Sequence, residues 1–139
     1  MKFRKTGGHY VLFLSRGERI IETLTGFCGK KKICAGYFSG IGSCRGAELG
    51  FYDWNAKKYR FKKFSADFEI AALQGNVSLR QRSPFVHAHV VLGDKNFRCA
   101  AGHLREAEVL AACEIVLVPL RTKLLRKLDA SSNTYPLSL

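Results

Sequence analysis

The 139-residue sequence has few prolines and no long apolar run. With only three prolines and no proline- or serine-rich linker, we expect a single domain. No apolar run approaches the roughly 20 residues that span a bilayer, so a membrane partner is not expected. The apolar stretch behind the basic first residues, Tyr10 to Leu14, is shorter than the roughly 7–15 residues of a secretory signal. We therefore expect a cytoplasmic location.

Acidic residues are also scarce. The 11 Asp and Glu residues stand against 23 Lys and Arg residues, which gives a formal net charge of +12. A field of this sign attracts polyanions, of which nucleic acid is the most common. An acidic membrane face or a small anionic substrate is compatible with the same charge, so charge alone leaves three classes of partner open.

Several common site motifs are missing. The five cysteines are odd in number and form no Cys-x-x-Cys pair, which argues against a disulfide framework and for small buried side chains in a reducing compartment. Gly40, Gly42 and Gly46 are spaced one residue too far for the dinucleotide-binding fingerprint, and a strand follows them. Walker A and G-x-S-x-G motifs are absent as well.

Strand patterns dominate what is present. A helix is predicted from Glu18 to Cys28, and a short helix or crossover from Glu106 to Ala112. Strands are predicted over 9–15, 33–38, 49–54, 57–64, 68–80, 86–92, 97–102 and 114–120. This is an α+β pattern with a mixed, mostly antiparallel sheet and one or two packed helices. We expect one compact domain over 1–139, with flexible ends at about 1–6 and 130–139.

Three of the four histidines lie close together in the sequence. His87 and His89 alternate on a predicted strand, so their imidazoles share one face. His103 lies on the return strand of the same hairpin, and we expect it directly opposite His87, with an odd-length loop or a bulge near Gly102. A register shifted by one residue would turn His103 to the other face. Three imidazoles are a typical catalytic-type zinc set, although another divalent transition metal fits the same ligands. Unrelated roles for the three histidines are the alternative.

Carboxylates are expected near such a site, because they orient histidine ligands. Four glutamates are candidates: Glu69, Glu106, Glu108 and Glu114. Glu69 and Glu114 sit within apolar strands, where an unpaired carboxylate is costly, so they are the candidate proton-transferring residues. The alternative is that each simply faces solvent.

A basic strand is the second candidate site. Alternation places Lys58, Arg60 and Lys62 on one face, where a row of cations can track a phosphate backbone. Tyr59 and Phe61 fall on the other face, which favours core packing over base stacking. A solvated face that protects a sheet edge is the alternative interpretation.

Separated blocks of the sequence resemble one family. They are SGIGSCRGAELGFYD (39–53), FEIAALQGNVSL (68–79), HAHVVLGD (87–94), GHL (102–104) and CEIVLVPL (113–120). In this order they resemble the PPC (plants-and-prokaryotes conserved) domain. The resemblance runs over about Phe3 to Leu137.

The resemblance implies a compact α+β domain that assembles as homotrimers and is similar in fold to acetolactate decarboxylase, a zinc enzyme with three histidine ligands. It implies a metal role for His87, His89 and His103. In plants the domain accompanies AT-hooks in DNA-binding proteins, whereas this chain has no Arg-Gly-Arg-Pro core. We expect a DNA-associated trimer with a zinc site; a zinc-dependent lyase or hydrolase acting on a small anionic substrate is the second hypothesis, and an oligomerisation module the third.

Overall fold

The computed structural model describes residues 1–139 as eight strands and one helix. The strands are β1 (Lys2–Thr6), β2 (His9–Ser15), β3 (Gly36–Asp53), β4 (Lys58–Arg80), β5 (Ser83–Gly93), β6 (Cys99–Pro119), β7 (Leu125–Arg126) and β8 (Leu137–Ser138), and the helix α1 (Ile20–Lys30) lies between β2 and β3. This is the expected α+β class, with a single helix.

Four of the strands form a closed circuit. β3 pairs with β4, β4 with β5, β5 with β6, and β6 returns to β3, all antiparallel. The hairpin β1–β2 extends the sheet from β6, and β7 adds to β4 as the one parallel pair. The sheet is therefore mixed but mostly antiparallel, as predicted. Because β5 pairs with β4 on one edge and with β6 on the other, both pairings fix the positions of its side chains.

Several predicted strands are parts of longer ones. The glycine-rich piece between the predicted strands 33–38 and 49–54 does not interrupt β3, which runs for 18 residues. Likewise, β4 runs for 23 residues through both predicted strands 57–64 and 68–80. Register shifts at Gly40/Gly42 and Arg45/Ala47 let these strands bend without ending.

The helix or crossover predicted over Glu106 to Ala112 is wrong, because this segment lies within β6. Burial there alternates with period two, with Ala107 and Val109 in the core and Glu106 and Glu108 more exposed. Small residues at the inward positions made this alternation weak in the sequence. Both ends of the chain also carry strands, β1 at 2–6 and β8 at 137–138.

The core fills the space between the sheet and α1. Leu24, Phe27 and Cys28 form the buried face of the helix, which packs against β5 and β6. From the strands, Leu12, Leu73 and Leu117 are fully buried in the same cluster. No helix in the structure combines the length and the apolar character needed to cross a bilayer.

Close backbone approach explains one of the strand glycines. Gly75 on β4 pairs with Phe38 on β3 and Ala88 on β5, and Ala88 lies between His87 and His89. A Cβ atom at Gly75 would collide with the carbonyl oxygen of His87 and the ring of Phe38. The absence of a side chain here thus sets how closely the histidine strand approaches β4.

We expect Gly75→Ala to lower the free energy of unfolding by about 1–3 kcal/mol, because backbone as well as side chain must move to accept the methyl group. Urea denaturation measures the change. Gly93→Ala is the matched control, since nothing lies within 4 Å of a Cβ placed there. Equal stability of the two variants would contradict the close-approach argument.

Candidate metal centre

Three imidazoles converge at the hairpin between β5 and β6. Their ring centroids are 5.1 Å apart for His87–His89, 5.1 Å for His87–His103 and 5.7 Å for His89–His103. One ligand atom from each ring lies within 4.8 Å of those of the other two. The structure thus brings together the three histidines singled out in the sequence.

The register differs from the expected one. His103 lies directly opposite His89, not His87. The partner of His103 is therefore shifted by two positions along β5 from the expected one. Because the loop from Asp94 to Arg98 has an odd number of residues, His103 still points to the same face of the sheet as His87 and His89. A two-residue shift exchanges the partner of His103 without turning its side chain away.

The surroundings keep two of the rings neutral. Burial, together with the neighbouring His103, Arg126 and His89, lowers the pKa of His87 to about 4. Burial, with His89 and Arg126, lowers the pKa of His103 to about 4. Both side chains are therefore uncharged at pH 7, which is the form that binds a metal ion.

One atom of the cluster lacks a hydrogen-bond partner. His103 Nδ1 is buried and has none. Buried polar atoms are rarely left unpaired, and an ion or water is the usual explanation. Three converging imidazoles with an unpaired buried nitrogen among them fit a divalent transition ion such as zinc, with a fourth ligand from outside the chain.

A guanidinium, not a carboxylate, contacts the cluster. Arg126 on β7 donates hydrogen bonds to Ser78 Oγ (2.8 Å), Asn76 Oδ1 (2.8 Å) and the carbonyl oxygen of Tyr135 (2.7 Å). Its Nη2 also lies 3.3 Å from His87 Nδ1. Burial lowers the pKa of Arg126, yet it forms no salt bridge with any carboxylate.

This contact constrains the His87 tautomer. A guanidinium has no acceptor, so His87 Nδ1 must accept the hydrogen bond and a neutral ring carries its proton on Nε2. A metal bound through Nε2 would move that proton to Nδ1, against the donor of Arg126, and a metal bound through Nδ1 would replace Arg126. Metal ligation by a neutral His87 and the Arg126–His87 hydrogen bond therefore exclude each other.

The glutamates expected beside the histidines lie elsewhere. Glu69 and Glu114 are exposed and line a separate cavity with Ile41 and Ala112, so neither is buried or near the imidazoles. Along β4, Glu69 is five positions from the residue paired with His89, which is about 17 Å at the rise of a strand. Within one chain, therefore, neither carboxylate lies beside the three histidines.

Glu106 and Glu108 have structural partners instead. The Glu106 carboxylate accepts hydrogen bonds from the backbone N–H groups of Ile21 and Glu22, at the start of α1. Glu108 forms a salt bridge of 2.7 Å with Arg45. Neither orients a histidine.

Comparison with known proteins places the chain in a family. The model of the Plants and Prokaryotes Conserved (PCC) domain, the PPC domain of the sequence analysis, matches residues 1–121. The chain belongs to the PPC domain family. No match was found among curated proteins.

Solved structures agree with the family assignment. A "metal-containing protein" from Archaeoglobus fulgidus is 34% identical, with 100% of each chain covered and a TM-score of 0.90. A PPC protein from Pyrococcus horikoshii is 30% identical over 99% of this chain and 96% of that one, with a TM-score of 0.87. A "putative DNA-binding protein" from Bacteroides thetaiotaomicron is 28% identical over 99% and 96%, with a TM-score of 0.92.

The basic strand of this PPC domain forms the exposed start of β4. Lys58, Arg60 and Lys62 are all exposed, and Arg60 forms a salt bridge of 2.6 Å with Asp53 on β3. The expectation that Tyr59 and Phe61 pack in the core is wrong, since they are 36% and 41% exposed.

One of these rings, that of Tyr59, lies beside the histidines instead. The Tyr59 ring stacks on the ring of Phe61, and its centroid lies 4.9 Å from the centroid of the His103 ring. Tyr52 and Trp54 continue the aromatic surface across the β3–β4 hairpin. Period-two alternation correctly predicted that Tyr59 and Phe61 lie on the same face of β4. Whether that face lies against the core depended on how the sheet closes.

Proposed function

We propose that this PPC domain binds one divalent transition ion, with zinc expected, through His87, His89 and His103. The convergence of three imidazoles carries the proposal. The low pKa values of His87 and His103 and the unpaired His103 Nδ1 support it. The metal-containing relative from Archaeoglobus fulgidus supports it as well. When bound, such an ion can polarise an oxygen of an external ligand.

Metal analysis of the purified protein tests this proposal. We expect one ion per chain in the wild type after zinc loading and dialysis. His89→Ala removes one of three ligands, so we expect its metal content to fall at least tenfold. Inductively coupled plasma mass spectrometry measures the content.

His9→Ala is the matched control, because His9 begins β2 and lies outside the cluster. It should retain one ion per chain. A full complement of metal in His89→Ala, or the same loss in both variants, would contradict the proposed site.

We also propose that the domain is a homotrimer, as the family resemblance implies. An apolar patch on the outer face of β2, β6 and β3 supports self-association. It consists of Val11 and Phe13, Val116, and Tyr37 and Ile41, each between 40% and 58% exposed. Val11 lies opposite Val116, and Glu114 lies between Phe13 and Ile41, so these residues are contiguous on one side of the sheet.

Native mass spectrometry checks the assembly, with an expected mass of three chains of 15.5 kDa. Val116→Asp places a charge in the patch, and we expect mainly monomer from a variant that still folds, because Val116 points away from the core. Phe97→Asp is the control, since Phe97 is 94% exposed in the β5–β6 loop. A wild-type monomer, or a Val116→Asp variant that remains trimeric, would refute this interface.

Association with DNA is the third part of the proposal. The net charge of +12 and the relative from Bacteroides thetaiotaomicron described as a "putative DNA-binding protein" support it. Lys58 and Lys62 are exposed cations without a salt bridge on the β3–β4 hairpin, and Arg60 beside them is partly neutralised by Asp53. We propose that this strand contacts phosphates and that the protein is cytoplasmic, where its five free cysteines stay reduced.

The salt dependence of duplex binding tests the role of the strand. Each phosphate contact contributes about 0.9 to the slope of log K against log salt, so Lys58→Gln with Lys62→Gln should reduce the slope by about 1.8. Fluorescence anisotropy of a labelled duplex measures it. Lys2→Gln with Lys5→Gln, on β1, is a control of equal charge and should leave the slope unchanged. No binding at low salt, or equal effects of the two pairs, would contradict the assignment.

A metal-dependent enzyme acting on a small anion is the second candidate function. A cavity of about 550 Å³ next to His87 and His103 favours it, because a substrate could reach the metal there. No carboxylate of the chain lines that cavity, so none of its own glutamates can move protons there. For this reason we rank the enzyme below the metal-binding, DNA-associated trimer.

A further inference from the structure

The cavity beside the histidines is positively charged. Two arginines line it, Arg80 and Arg126, and no aspartate or glutamate does. Neither guanidinium forms a salt bridge with the chain. Both side chains are half-buried. A half-buried cation without a counter-charge is electrostatically unfavourable, and an anion in the cavity would relieve this cost.

Hydrogen bonds hold the Arg126 side chain in place in this cavity. Its Nε, Nη1 and Nη2 donate to Ser78, the Tyr135 carbonyl and Asn76, and its guanidinium carbon lies 5.0 Å from the centroid of the Phe85 ring. Three directions are therefore fixed by neutral acceptors, none of which cancels the charge. A further Nη1–H has no acceptor in the chain.

The cavity walls are aromatic. Tyr52, Trp54, Tyr59, Phe85 and Tyr135 line it, and the Arg80 guanidinium stacks on Tyr135 with 3.7 Å between its central carbon and the ring centroid. The volume of about 550 Å³ is in the range that holds a small organic molecule. Flat apolar walls around fixed cations favour a ligand with a flat apolar body and one acidic group.

We propose that this cavity binds a small aromatic carboxylate, with the carboxylate at Arg126 next to the three histidines. The metal half of the site rests on the proposed function, whereas the Arg126 half does not. A bound ion adds two positive charges beside Arg126, so metal and carboxylate should each tighten the binding of the other. Metal ligation by His87 would also release the Nη2–H of Arg126 that faces His87, while the other Nη2–H stays bonded to Asn76, and the released N–H would be available to the carboxylate.

A purely structural role for Arg126 is the competing explanation. Its bonds to Asn76 and Ser78 on β4 and to the Tyr135 carbonyl tie the C-terminal segment to the sheet. Such a role predicts a loss of stability in Arg126 variants but no binding of an anion by the wild type. Direct binding measurements therefore separate the two explanations.

Trp54 provides the measurement, because it is the only tryptophan and it lines the cavity. Metal-stripped protein is titrated with benzoate and with benzamide, its neutral analogue of the same shape, while Trp54 fluorescence is recorded. We expect saturable binding of benzoate at least tenfold tighter than that of benzamide. Adding one equivalent of zinc should tighten benzoate binding further.

Two variants of Arg126 and one matched control assign the effect. Arg126→Met should weaken benzoate binding at least tenfold, and Arg126→Lys should also weaken it, because lysine keeps the charge but loses the planar fork. Arg45→Met removes an equal charge at the remote Glu108 pair and should bind benzoate as the wild type does. If circular dichroism shows that Arg126→Met does not fold, Arg126→Lys supplies the comparison.

The outcomes distinguish the anion site from the metal site. Equal binding of benzoate and benzamide, no saturable response at tens of millimolar benzoate, or equal weakening by Arg45→Met and the Arg126 variants would overturn the proposal. Arg126-dependent benzoate binding in a protein that takes up no zinc would support the anion site and refute the metal proposal. Zinc uptake without benzoate binding would support the metal proposal and refute the anion site.

Discussion

The register between β5 and β6 is the constraint on which the candidate site depends. His87 and His89 share a face by strand alternation, but His103 joins them only because its pairing with His89 preserves that face. A shift by one residue would leave two imidazoles on one side and one on the other. On its other edge β5 pairs with β4, where Gly75 permits close approach, and β4 is linked back to β6 through β3, so the closed circuit constrains this register.

The charge around the imidazoles sets this centre apart from many histidine metal sites. Histidine ligands usually donate their second N–H to a carboxylate or carbonyl, whereas His87 faces the guanidinium of Arg126. With His87 and His103 uncharged, no carboxylate in the adjoining cavity and two arginines on its walls, the site has an excess of positive charge before any ion binds. The anion proposed for this cavity would supply the compensating negative charge from outside the chain.

The candidate activities occupy different parts of the molecule. The apolar patch around Val116 lies on the outer face of β2, β6 and β3. The histidines lie where the other end of β6 pairs with β5. Lys58 and Lys62 are on the β3–β4 hairpin, whose other face carries the aromatic residues of the cavity. Assembly, DNA contact and ligand binding can therefore be tested by separate variants, although the hairpin couples the last two.

The sequence by itself determined the α+β class, the family, the β5–β6 hairpin and the three histidines, because alternation and turn residues act over a few neighbouring positions. It also determined that Tyr59 and Phe61 share a face, but not that the Tyr59 ring lies beside His103. Only the tertiary structure decided that Glu69 and Glu114 lie away from the imidazoles. It also decided that Arg126, which is 39 residues after His87, contacts the ring of His87. Such contacts depend on the closure of the sheet and on where β7 joins β4, and these arise from packing across the whole chain, which no local pattern records.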